Sequence, residues 1–270
     1  MLYCNVQKRN RKGAETVNYD DLISTATEVG YLLLRNGAEI YRVEDSMQRI
    51  FRAYGVETGE VFAIPTCIFV TVTTPQGRPV TKIKRLYTRV TDLDKVDQAN
   101  DLCRRICRSC PNFSSIRAEV ETINRRPVYD FWTQVAAFAM VAFSFTLFYG
   151  GTLADGFCAL VCGAAVKLVN QFMGRFQANA FFTNIVASCT AAAIAMVTVH
   201  LGFGANLDKI IIGALMNLVP GIVITSFMRD VMAGDLIAGL IRFVESLLVA
   251  TAIAIGAGIA LIVPRLIWGV

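Results

Sequence analysis

The sequence predicts an α-helical integral membrane bundle of about five transmembrane helices, preceded by a small cytoplasmic α/β domain with a short antiparallel sheet. Three observations predict it. The mean hydropathy of +0.50, with 54% hydrophobic residues, is too apolar for an ordinary soluble domain. A charged content of 17% is too high for a chain wholly in lipid. The charges are also segregated: up to Asp130 the chain holds 20 of its 26 Lys and Arg and 16 of its 21 Asp and Glu. One chain therefore meets two environments, with the division expected at 1–128 and 129–270.

In the first part, Asn18 or Asp20 can cap a helix running to about Asn36, with Leu22, Ile23, Ala26, Val29 and Leu33 on one face. Asn36-Gly37 supplies a stop signal. A second helix, about Glu39 to Tyr54, carries Val43, Met47, Ile50 and Phe51 on one stripe and ends at Gly55. The texture then becomes β-branched and aromatic. Strands are expected at Val61 to Ile64, Cys67 to Val72 and Val80 to Tyr87, the last two joined by the turn Thr74 to Arg78. Helices follow at about Asp92 to Cys107 and Ser114 to Asn124, with Pro111 between them.

From Phe131 apolarity is nearly continuous. Spans are expected at Phe131 to Tyr149, Leu153 to Val169, Ala180 to Leu201, Ile210 to Phe227 and Glu245 to Ile267, with a less apolar helical stretch, Arg229 to Arg242, before the last. Each approaches the roughly 20 residues that cross about 30 Å of hydrocarbon. Arg125 and Arg126, then Lys167 and Arg175, then Arg229 fall at successive inner loops, which places the N-terminal domain in the cytoplasm. Arg265 is the basic residue left on the outer side. The stretch Met1 to Gly13, with Lys8, Arg9, Arg11 and Lys12, is basic without an apolar core region and does not read as a signal peptide.

The net charge of +5 comes from interspersed acids and bases, a solvated surface and no nucleic-acid groove. Cys103, Cys107 and Cys110 invite a zinc reading. A closed site needs a fourth ligand, however, and the helical spacing suits ordinary helix cysteines, so no metal or other cofactor is expected.

Two stretches draw attention as candidate sites. In Asn217 to Gly221, Pro220 removes an amide donor and Gly221 loosens the backbone. In a membrane such a break belongs where protein or a wet cavity surrounds it, and broken helices recur at transporter binding sites. Beyond it come Arg229, Asp230, Gly234, Asp235, Gly239, Arg242 and Glu245, with Asp235, Arg242 and Glu245 expected on neighbouring faces. Near the N-terminus, Gly37 to Asp45 is densely charged, with Glu39, Arg42 and Glu44 able to cluster beside Tyr41. Lys167, with Asn170 and Gln171, sits at the inner end of the second span and is expected to snorkel to the interface. No phosphate-binding loop and no nucleophile with a base partner is present, so no catalytic residue is assigned.

The stretches LLLRNGAEIYRVEDSMQRIFRAYGV (32–56), FAIPTCIFVTV (62–72), TDLDKVDQANDLCRRI (91–106) and NLVPGIVITSFMRDVMAGDLIAGLIRFVESLL (217–248) together resemble the threonine/serine exporter family, in its N-terminal module. That resemblance implies a secondary exporter of small carboxylate-bearing metabolites, threonine and serine or a dicarboxylate such as succinate. It also implies a small membrane partner subunit, in the separate-subunit form of a two-component exporter, within a hetero- or homo-oligomer in the cytoplasmic membrane. By motif, the residues of interest are Gly37, Glu39, Tyr41, Arg42 and Glu44, then Asn217, Pro220, Gly221, Arg229, Asp230, Gly234, Asp235, Gly239, Arg242 and Glu245. The alternatives are a membrane-tethered hydrolase-like enzyme and a membrane sensor or scaffold.

Overall fold

The computed structural model describes residues 18–268, with side chains through Ile262. The basic residues Lys8, Arg9, Arg11 and Lys12 and the side chain of Arg265 lie outside the described residues. The chain divides into two compact units. One comprises the described part of Met1–Pro127 together with Ser226–Arg242, the other Val128–Thr225 together with the chain from Phe243 onward.

In the first unit, α1 (Tyr19–Arg35) starts where the Asn18 side chain accepts the amides of Asp20 and Asp21. Its apolar stripe, Leu22, Ile23, Ala26, Val29 and Leu33, is buried as its period demands. After the turn at Gly37, α2 (Ile40–Ala53) buries Val43, Met47, Ile50 and Phe51 in the same core. Strands β1 (Gly59–Ile64), β2 (Cys67–Thr73) and β3 (Pro79–Arg85) form an antiparallel sheet in that order. Alternation decides its faces: Ile68, Val70 and Val72 of β2 enter the core, while Phe69 points outward, opposite Phe62 and Ile83. Helix α3 (Leu93–Ser109) is capped by Asp92 accepting from the Lys95 amide, and α4 (Phe113–Asn124) completes the helical layer.

The cysteines of the C-x3-C-x2-C run are free thiols. Cys103 lies in the core, and burial pushes its thiol up to about 12. Burial also raises the Cys107 and Cys110 thiols. Cys110 ends α3 in the left-handed region and donates to the Ala53 carbonyl at 3.3 Å.

The second unit holds α5 (Phe131–Phe148), α6 (Leu153–Arg175), α7 (Ala180–His200) and α8 (Leu207–Leu215). Helix α9 (Gly221–Ala233) begins here and belongs to the first unit from Ser226. Helix α10 (Leu236–Trp268) begins in the first unit and continues here from Phe243. Small residues set the close crossings. A Cβ on Gly163 would lie 2.5 Å from the Phe138 carbonyl, one on Gly213 2.0 Å from Thr146 Oγ1, and one on Gly256 2.2 Å from the Ile185 carbonyl. Without water to expel, such backbone contact is how apolar helices gain packing energy. Asp155, wholly buried, completes a capping box with Thr152 and accepts from the amides of Ala205 (2.7 Å) and Asn206 (3.0 Å), tying the loop after α7 to the start of α6.

Among the described residues, four helices are long and apolar enough to cross a membrane: α5, α6, α7 and the Leu236–Ile262 part of α10. Three expectations change. The expected span from Ile210 to Phe227 is two short helices, because Pro220 withholds an amide and the Asn217 and Leu218 amides bond three residues back instead of four. The helical stretch expected over Arg229 to Arg242 is split by a sharp turn at Gly234, φ +92°, after which α10 runs on from Leu236. The helix expected to end near Val169 continues to Arg175, so Lys167 lies within α6 and not at its end.

Candidate functional site

The two charged stretches, nearly two hundred positions apart in sequence, meet within the first unit. Gly37, φ +94°, makes a turn that side chains resist, and it leaves the Ala38 carbonyl buried at the start of α2. Across from it, α9 and α10 form a hairpin about Gly234. A Cβ on Gly239 would meet Val231 Cγ2 at 2.6 Å, so glycine is what lets the two helices close. This closure brings Asp230 of α9 opposite Arg242 of α10, with Arg242 Nη1 2.8 Å from Asp230 Oδ2. Arg242 Nη2 donates to the Ala38 carbonyl at 3.3 Å. The Asp230 and Arg242 side chains are 0% and 4% exposed, so the pair is removed from solvent.

The pair is close but poorly aligned: neither Asp230 oxygen has a hydrogen-bond partner of good geometry. Beside it, Glu39 pairs with Arg229 and accepts from Arg42 Nε at 3.3 Å. Arg42 also donates to the Tyr41 hydroxyl at 3.3 Å. Glu44 accepts the Ala63 amide at 2.7 Å. Burial first, and then the charge of Asp235, push its carboxyl up.

Geometry thus joins Glu39, Tyr41, Arg42 and Glu44 with Arg229, Asp230, Asp235 and Arg242. It differs from the expected pairing in one respect: the ion pair Arg242 makes at 2.8 Å is with Asp230, because the turn at Gly234 folds α9 back. Glu245, half-buried, lies one turn further along α10 in the second unit. Asn217, at the helix break, also belongs to the second unit. Its Nδ2 donates to the Phe138 carbonyl at 3.0 Å and to the Ala214 carbonyl at 3.3 Å. The sequence reading missed the Ala38 carbonyl, a backbone group that no residue pattern marks.

The only histidine, His200, ends α7 in the second unit, so the first unit has no imidazole base. No group of three or more His, Cys, Asp or Glu side chains is placed to hold a metal among the described residues.

Long apolar helices, with a proline-interrupted stretch among them, fit an integral membrane protein. A family model described as "Putative threonine/serine exporter" matches residues 24–263, and the chain belongs to that family. It is 21% identical over 257 residues to the "Probable threonine/serine exporter" of Mycobacterium tuberculosis (strain ATCC 25618 / H37Rv), covering 94% of this chain and 48% of that protein. It is also 21% identical over 247 residues to the "Threonine/serine exporter" of Corynebacterium glutamicum, covering 89% and 50%. The chain therefore spans about half the length of these curated relatives. No solved structure matches it.

Proposed function

We propose that this chain is a component of a secondary exporter of small carboxylate-bearing metabolites, threonine and serine or a dicarboxylate such as succinate. The first unit faces the cytoplasm, and the broken α8–α9 pair acts as a fifth, interrupted crossing. A small membrane partner subunit completes the pathway, and an ion or proton gradient drives it. The observation that carries the reading is the break at Met216–Pro220 in an otherwise apolar bundle, with Asn217 bonded to a carbonyl of α5.

The physical argument is electrostatic. The start of α9 presents backbone amides without helical partners, a partial positive charge that suits a carboxylate. The same helix carries Arg229 and Asp230, which join the ion-paired cluster of the first unit. Substrate-path roles are assigned to Asn217, Pro220, Gly221, Arg229, Asp230, Asp235, Arg242 and Glu245.

The test is export of L-threonine, L-serine and succinate from cells expressing the chain, compared with Pro220→Ala and Asp235→Asn. Both variants are expected to reach normal membrane levels with export reduced. Unchanged export in both removes these residues from the mechanism. Co-purification of a membrane partner tests the subunit arrangement.

A further inference from the structure

Lys167 stands out in the second unit once α6 is seen to run on to Arg175. It lies eight residues, about 12 Å of helix rise, before that end. Its ammonium is drawn inward: Nζ donates to Gln134 Oε1 at 2.6 Å and sits 5.5 Å from the centre of the Phe138 ring. Both partners are neutral. The acids of this unit are Asp130, Asp155, Asp208 and Glu245, and no carboxylate lies within 4.0 Å of Lys167 among the described residues. A cation in an apolar helix, solvated by an amide oxygen and a ring but lacking a counter-ion, is an anion site in search of its anion.

A second observation lies on the same face. Asn170, three residues on, has a buried Oδ1 with no hydrogen-bond partner. A buried acceptor left unpaired is costly, and a ligand donor removes that cost. Phe138 joins the pair to the helix break, since the residue whose ring carries Lys167 also accepts from Asn217 at its carbonyl. A Cβ on Gly163 would lie 2.5 Å from that carbonyl, so glycine is what lets α6 pass this close to Phe138.

An unneutralised ammonium beside an unpaired acceptor matches a ligand with a carboxylate and an adjacent N–H donor. We propose that Lys167, Gln134, Phe138, Asn170 and Asn217 form a subsite for a free amino acid: Lys167 holds the carboxylate and Asn170 Oδ1 accepts from the α-ammonium. This rests on the exporter reading and narrows it, because a dicarboxylate brings a second anion where the site offers an acceptor.

The test is equilibrium binding of labelled L-threonine, L-serine and succinate to the full chain in lipid nanodiscs, with 3-hydroxybutyrate as a competitor that has the carboxylate but not the amine. Lys167→Gln is expected to weaken L-threonine at least about tenfold, the loss of one charge-assisted contact, while Lys167→Arg stays within about threefold. Asn170→Ala is expected to abolish the preference for L-threonine over 3-hydroxybutyrate. Equal melting temperatures of the unliganded variants separate these effects from misfolding. Wild-type affinity in Lys167→Gln overturns the subsite and leaves the exporter reading standing. Succinate binding more tightly than L-threonine overturns the amino-acid assignment. Failure of the parent chain to bind any of the three overturns both.

Discussion

A buried ion pair is held together less by its attraction than by the cost of leaving one charge alone. Asp230 and Arg242 are 0% and 4% exposed, and their contact lacks the aligned hydrogen bonds that make such a pair strong. Asp230→Leu or Arg242→Met alone is therefore expected to destabilise the first unit by about 3–5 kcal/mol, whereas the double variant recovers most of that loss. Thermal unfolding of the purified chain in detergent measures it, and additive losses would contradict the pairing. Glu44 makes a second, pH-dependent case. Its carboxyl is raised by burial and by Asp235, so the folded state takes up a proton more readily than the unfolded one. Stability from this group therefore falls as pH rises through the raised value and recovers as pH drops toward the ordinary carboxylate range, about 4.3. Glu44→Gln keeps an acceptor for the Ala63 amide and removes the charge. It is expected to be more stable than the parent at neutral pH, with the two melting curves converging at acid pH. Parallel curves across that window count against it.

At the scale of elements, much was legible because local signals and burial agree. The cap at Asn18, the stripes of α1 and α2, the alternation in β2 and the cap at Asp92 each combine a local preference with a face that the core buries. The failures have physical causes too. Hydropathy falls at Asn170, Gln171 and Arg175 while helical hydrogen bonding continues, so α6 outlasts its apolar run. Pro220-Gly221 announced a break, but not that the pieces on either side would be 9 and 13 residues, too short to cross alone. Helical spacing placed Asp235 near Arg242 on one helix and could not see the reversal at Gly234 that sets Asp230 opposite instead. Glycines that mediate packing were invisible in kind, since sequence alone does not separate a hinge from a close crossing. Gly163 is such a crossing, and Gly163→Val pushes a branched side chain against the Phe138 carbonyl and Ala142. Overpacking of about 1–3 kcal/mol or more is expected, because backbone cannot swing aside as a side chain can. Size-exclusion profiles and melting temperature in detergent check it; a parent-like profile means α5 and α6 have more room than the crossing implies.

At the scale of the whole molecule, the first unit is assembled from two separate stretches of chain. Ser226–Arg242 supplies Ala238 to its hydrophobic core, Arg242 to the Ala38 carbonyl and Arg229 to Glu39. Cut out by sequence position alone, residues 1–127 lose all three. The Ala38 carbonyl and Glu39 are left without these donors, and core side chains around Ala238 meet water. Each lost hydrogen bond costs about 0.5–1.5 kcal/mol and each exposed methylene about 0.8 kcal/mol, so the deficit is a sizeable part of a small domain's stability. The expected outcome is that residues 1–127 alone unfold at a lower temperature and lower urea concentration than the same residues joined through a flexible Gly/Ser linker to 226–242. Within the fused protein, Arg242→Met should return the melting temperature most of the way to that of 1–127, because it removes the contact to Ala38 and strands Asp230 together. If the two proteins melt alike, Ser226–Arg242 is a passive connector, and the contacts of Arg229, Ala238 and Arg242 contribute nothing to the first unit's stability.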